Sequence, residues 1–98
     1  MHDTSTDIPY DPHLLNAQLL RDLRREMDGA QTLYGSYASM HEAYAVIKEE
    51  LEEFWTWVKL KEDFRDSQAM RVELLQVAAC ALRAILTLEE QTQKGIAR

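Results

Sequence analysis

Residues 66–93 read DSQAMRVELLQVAACALRAILTLEEQTQ, and this stretch decides the fold. It contains no proline or glycine, its composition favours helix, and its apolar residues recur at helical rather than alternating spacing. Asp66 or Ser67 is placed to cap the start, which predicts one helix running to about Gln93. At about 100° per residue, Val72, Leu75, Ala79, Leu82 and Leu86 fall on one apolar face, and Leu74, Val77, Ala78, Ala81, Ile85 and Leu88 on a second. Between the two runs a narrow stripe of Glu73, Gln76, Cys80, Arg83 and Thr87. One small chain covers two apolar faces poorly. The pattern therefore predicts a homodimer or homotetramer in which a second copy completes a helical bundle.

The upstream segments support an all-α chain. Met40, Tyr44, Ile47, Leu51, Phe54 and Val58 alternate steps of four and three, predicting a helix from Ser36 or Ser39 to about Leu60 with that stripe on the core. Asp11-Pro12 offers a capping carboxylate and a proline at the first helical position, after which Leu15, Leu19, Leu23 and Met27 recur every four residues. A first helix is expected from about Pro12 to Met27. Asp28-Gly29 and Gly35-Ser36 then bracket a loop in which Leu33, Tyr34 and Tyr37 are expected to pack inward. Residues 61–66 form a charged connection, and residues 1–11, polar and without period, read as an arm outside a single helical domain spanning 12–98. The expected fold is a short all-α bundle of about three helices, completed by oligomerisation.

Composition narrows the function. A chain of 98 residues is one domain at most, and a net charge of -6 with no Lys/Arg cluster interleaved with aromatics argues against a nucleic-acid polymer as partner. No apolar run reaches the roughly 18 to 20 residues that span a bilayer. Cys80 is the single cysteine, so no intrachain disulfide forms, and the start MHDTST lacks the basic and apolar regions of a signal peptide. A cytoplasmic location is the expectation.

The chemistry lies in the acids. Residues 48–54 read KEELEEF, and helical spacing stacks Glu50 on Glu53 in one helix and Glu73 on Gln76 in another. Two antiparallel helices so arranged offer up to four oxygen ligands to one small volume, the coordination that hard dications such as Mg²⁺ require. Most acidic runs are solvated helix faces, and Glu52, beside Lys48, Thr56 and Lys59, and Glu49, at an intermediate angle, both fit that description. Glu50 and Glu53 share a flank with Val46, Trp57 and Leu60, and Glu73 sits among Val72, Leu74 and Leu75. Apolar neighbours desolvate a carboxylate unless a cation compensates, whether a metal ion or Arg71 or Arg83.

The spacing Glu49-Glu50-x-x-Glu53, nineteen residues, then Glu73-x-x-Gln76 resembles the MazG-like, all-α nucleoside triphosphate pyrophosphohydrolase superfamily, whose pattern is EExxE followed by ExxD. The likeness covers about residues 40–90, including His41-Glu-Ala-Tyr44 before the first motif and residues 76–83, QVAACALR, after the second. It implies a Mg²⁺-dependent enzyme, with Mn²⁺ as a possible substitute, that converts an NTP or dNTP to the monophosphate and pyrophosphate. It also implies metal binding by Glu50, Glu53, Glu73 and position 76, with Glu49 orienting the attacking water or assisting a further ion. Gln76 departs from the pattern, because its neutral carbonyl oxygen holds a hard cation more weakly than an aspartate.

Rival expectations are a non-catalytic helical dimer acting as an interaction module, and a family member that binds nucleotide with weak turnover because of Gln76. Trp57 is a candidate to stack on a nucleobase or to fill the core or an interface. Arg83 is placed either to contact a phosphate or to neutralise Glu73. His2, His13 and His41 show no joint ligand spacing, and Cys80 reads as a small buried filler.

Overall fold

A computed structural model describes residues 11–95, and among these the chain forms α1 (Pro12–Tyr34), α2 (Met40–Val58) and α3 (Ser67–Gln93), with a short 3₁₀ turn at Glu62–Phe64. The all-α bundle is as expected. The arm read over 1–11 lies, apart from Asp11, outside the described residues. No helix among them is long and apolar enough to cross a membrane.

Each helix begins where its side chains can satisfy the free N–H groups of the first turn. Asp11 accepts from the amides of His13 (3.0 Å) and Leu14 (3.3 Å), and Asp66 from those of Gln68 (2.9 Å) and Ala69 (3.2 Å). Ser39 accepts from the Glu42 amide at 3.1 Å, while the Glu42 carboxylate reaches back to the Ala38 amide at 2.8 Å. That reciprocal pair is a capping box displaced by one residue.

Helix α1 runs seven residues beyond the expected end at Met27. Asp28 does not leave the helix, because its carboxylate takes both oxygens back to Arg24 Nε at 3.1 Å, one turn earlier. Gly29 stays helical, and the chain turns only at Gly35, whose φ of 68° suits a residue without Cβ. The expected inward packing of Leu33 and Tyr34 is therefore corrected: both stay on the helix, 75% and 74% exposed, while Tyr37 is buried.

Helix α3 lies between the other two; α1 and α2 both pack on it and scarcely touch each other. The line it turns inward is the polar stripe, with Cys80, Arg83 and Thr87 buried beside Ala79. The two apolar faces flank this line, leaving Val72, Leu74, Ile85 and Leu86 more than 40% exposed. Helix α2 is rotated to match. Its inner side carries Ala43, Val46, Ile47, Glu50, Phe54 and Trp57, whereas Tyr44 and Leu51 of the expected core stripe are exposed. With Glu50 towards the polar line of α3, Met40, Ile47, Phe54 and Val58 of the apolar stripe stay half-buried and only Tyr44 and Leu51 reach solvent.

Candidate metal centre

Where α2 packs on α3 the acidic motifs approach each other, with Glu50 and Glu73 half-buried; Glu49 and Glu53 are exposed, which corrects the desolvation expected of Glu53. Glu49, Glu50 and Glu53 each place a carboxylate oxygen within 4.8 Å of the others. Glu73, on α3, stands against this triad, next to Glu53. Burial pushes the Glu50 carboxyl above the usual carboxylate range, and the negative charges of Glu53, Glu73, Glu49 and Glu26 push it further. Burial likewise raises Glu73, followed by proton sharing with Glu53 and repulsion from it.

Oε2 of Glu50 and Oε2 of Glu73 are buried and meet no hydrogen-bond donor among the described residues. An ionised carboxylate oxygen without donors is costly to bury. Glu49 and Glu53 are exposed, as solvated helix-face acids are, whereas the half-buried Glu50 and Glu73 favour a proton or a cation at these atoms. The arginines do not relieve them. Arg71 pairs with Asp22 of α1 at 3.0 Å, and Arg83 has no carboxylate within ion-pair distance among the described residues. The carboxylates close enough to share one ion are those of Glu49, Glu50 and Glu53, all on α2, an oxygen-only set that suits a hard divalent cation; Glu73 of α3 stands beside Glu53, outside this group.

Beside the acids opens a cleft of about 710 Å³. Its floor is α3 (Gln76, Ala79, Cys80, Arg83), one wall is α2 (Glu42, Val46, Glu49, Glu50), and the other is the second half of α1. This volume lies within the range of small-molecule sites. Gln76 therefore shares a surface with Glu49 and Glu50, as its motif position implies. Trp57 does not line the cleft, so the base-stacking role considered for it is not supported by its position; it is half-buried along the inner side of α2.

Comparison with family models, curated proteins and solved structures finds no match.

Arg83 forms no ion pair with Glu73 among the described residues, and its guanidinium, which lines the cleft, is held by neutral groups of the chain. Its Nε donates to Gln31 Oε1 (3.1 Å), one terminal nitrogen to the Gly35 carbonyl (2.8 Å) and the other to the Tyr37 hydroxyl (3.4 Å). The guanidinium also stacks 4.5 Å from the Tyr37 ring centroid. Tyr37 in turn donates its hydroxyl to the Cys80 carbonyl (3.4 Å) and its amide to Thr87 Oγ1 (3.3 Å). Burial first, and then contact with Cys80, push the Tyr37 phenol up to about 12. The stripe on α3 thus has two jobs: Glu73 and Gln76 face the acids of α2, while Cys80, Arg83 and Thr87 anchor the loop between α1 and α2.

Several cleft residues escaped the sequence reading. Arg25, Glu26, Tyr34 and Tyr37 line it, and Glu26 adds to the charge on Glu50. Their signal was the same helical spacing, carried past Gly29. Once α1 is continuous, residues 25, 26, 29, 30, 33 and 34 share one face. His13 and His41 are exposed and join no acidic group, and Cys80 is the buried filler expected of it.

Proposed function

We propose that the protein is a divalent-cation-dependent nucleoside triphosphate pyrophosphohydrolase, with Mg²⁺ or Mn²⁺ held by Glu50, Glu53, Glu73 and Gln76. The observation that supports this reading is the acidic triad of Glu49, Glu50 and Glu53, of which Glu49 and Glu50 line a nucleotide-sized cleft and Glu50 holds a buried oxygen with no donor among the described residues. A cation bound there would neutralise phosphate charge and lower the pKa of a bound water. Glu49, exposed at the edge of the triad and lining the cleft, would orient that water and take its proton as the water oxygen attacks the α-phosphorus. The bond from phosphorus to the α–β bridging oxygen would break, with pyrophosphate leaving with the electron pair.

The test is pyrophosphate release from standard and modified NTPs and dNTPs with Mg²⁺ or Mn²⁺. Glu49→Gln should reduce the rate by about two orders of magnitude or more, as expected for loss of a positioned base. Gln76→Asp should tighten metal binding and raise the rate if the neutral amide limits occupancy. Equal Mg²⁺ affinity in Gln76→Asp and wild type would remove position 76 from the ligand set. Absence of pyrophosphate release from every nucleotide would leave the binding-only reading, which the neutral Gln76 favours.

The exposed apolar surface supports a homo-oligomer. Among the described residues, fourteen large apolar side chains are more than a third exposed, whereas the buried apolar set is only Tyr37, Ala43, Ala79 and Cys80. Monomers rarely leave so much apolar area uncovered. Sedimentation at micromolar concentration should show a dimer or tetramer. Ile85→Glu, 49% exposed on a flank of α3, should dissociate it with helix content retained. A monomeric wild type would overturn the assembly.

A further inference from the structure

The cleft carries a charge problem that the acids create and a side chain on the opposite wall can solve. Glu26, Glu42, Glu49 and Glu50 all line it, so an entering polyphosphate meets negative groups on two walls. Only two arginines line the same space among the described residues, and Arg83 is committed to Gln31, Gly35 and Tyr37. Arg25 is the other. It is exposed, and no hydrogen bond or ion pair engages it among the described residues, although its neighbour Arg24 is held by Asp28. One turn further along α1, Gly29 leaves the adjoining surface open, since a Cβ there would meet nothing within 4 Å.

We propose that Arg25 is the cationic contact for the phosphate chain, so that the chain lies between the guanidinium on α1 and the glutamates of α2. This rests on the nucleotide reading of the cleft and adds the orientation of the ligand within it. A guanidinium presents a planar fork of donors that matches two phosphate oxygens at once, and its charge is fixed at all working pH values. With the phosphates so held, the ligand's organic part points along α1 towards Leu33 and Tyr34, whose exposed side chains line the cleft beyond Gly29. Arg21 serves as an internal control. It belongs to the same basic edge of α1 but lines only the shallow hollow on the outer side, together with Arg24 and Arg25.

The experiment is calorimetric titration of the full chain, in Mg²⁺, with inorganic tripolyphosphate and with an α,β-imido nucleoside triphosphate that cannot be cleaved. Arg25→Gln should weaken both ligands by about tenfold to hundredfold, the range for a hydrogen bond to a charged group. Arg25→Lys should fall between the two, Arg21→Gln should change affinity less than threefold, and Mg²⁺ binding alone should be the same in all four proteins. Wild-type affinity in Arg25→Gln overturns the contact while leaving the nucleotide reading in place. Equal weakening by Arg21→Gln also overturns it, because the effect would then be diffuse attraction. No binding of either triphosphate by the wild type overturns both. Arg25 is exposed, so an unchanged circular dichroism spectrum and melting temperature are expected and separate lost contact from lost fold.

Discussion

In EDTA, the melting temperature of the wild type should fall as pH rises from about 4.5 to 7.5, and saturating Mg²⁺ or Mn²⁺ should reverse that slope. Glu50 and Glu73 both have carboxyls raised above their ordinary value of 4.5. A raised folded-state pKa means that the folded chain binds more protons than the unfolded one between the two values. The associated stability is present below the unfolded pKa and is lost as pH climbs through the folded one. A dication acts in the opposite sense, since it binds the ionised carboxylates and binds better as they lose protons. At a hundredfold excess over its dissociation constant it stabilises by about 2.7 kcal/mol. For a domain of this size each kcal/mol moves the midpoint by about 4–8 °C, so the expected rise is about 10–20 °C.

Glu50→Gln separates this from ordinary salt effects because it should act in opposite directions with and without metal. It should raise the midpoint in EDTA at pH 7.5 and flatten the pH slope, because a neutral amide replaces a repelled charge. It should also remove most of the Mg²⁺-dependent rise. A variant that is less stable than wild type in EDTA, yet gains as much from Mg²⁺, would mean that Glu50 has another partner and no metal role. Sodium chloride at equal ionic strength is the control for screening.

Periodicity carried the fold a long way and then stopped at a definite physical limit. The capping residues Asp11, Ser39 and Asp66, and the full length of α3, follow from local chemistry, which a sequence states directly. What spacing does not state is which side of a helix faces its neighbours. On α3 both apolar faces and the polar stripe between them were visible, but only tertiary packing shows that the stripe is the inward line. The same ambiguity misplaced Tyr44 and Leu51 of α2. At Gly29 a local rule was overridden: glycine inside a helix costs about 1 kcal/mol, yet the helix continues through it, with the Arg24–Asp28 pair before it and the Arg83 bond to Gln31 after it. The acidic triad was legible because its members are close in sequence. Glu26, Arg25 and Tyr37 were not, since their part in the cleft depends on contacts between helices.

Arg83→Met should be among the most destabilising single substitutions outside the acids, lowering stability by about 2–4 kcal/mol and the midpoint by about 10–20 °C. Methionine keeps the apolar stem but removes every donor. The Gly35 carbonyl and the Gln31 and Tyr37 side-chain oxygens would each lose a donor in a buried or half-buried setting. Arg83→Lys should recover only part of the loss, because an ammonium cannot reproduce three divergent bonds from one plane. The loop gives a second readout. Gly35 and Tyr37 are fixed to α3 through Arg83 and Thr87, so amides of residues 35–38 should exchange with solvent markedly faster in Arg83→Met than in wild type, even well below the midpoint. If Arg83 instead served chiefly as a phosphate contact, Arg83→Met would leave the midpoint and the exchange of these amides unchanged while weakening triphosphate binding. Those two patterns do not overlap, and the three bonds that tie the loop to Arg83 and Thr87 predict the first.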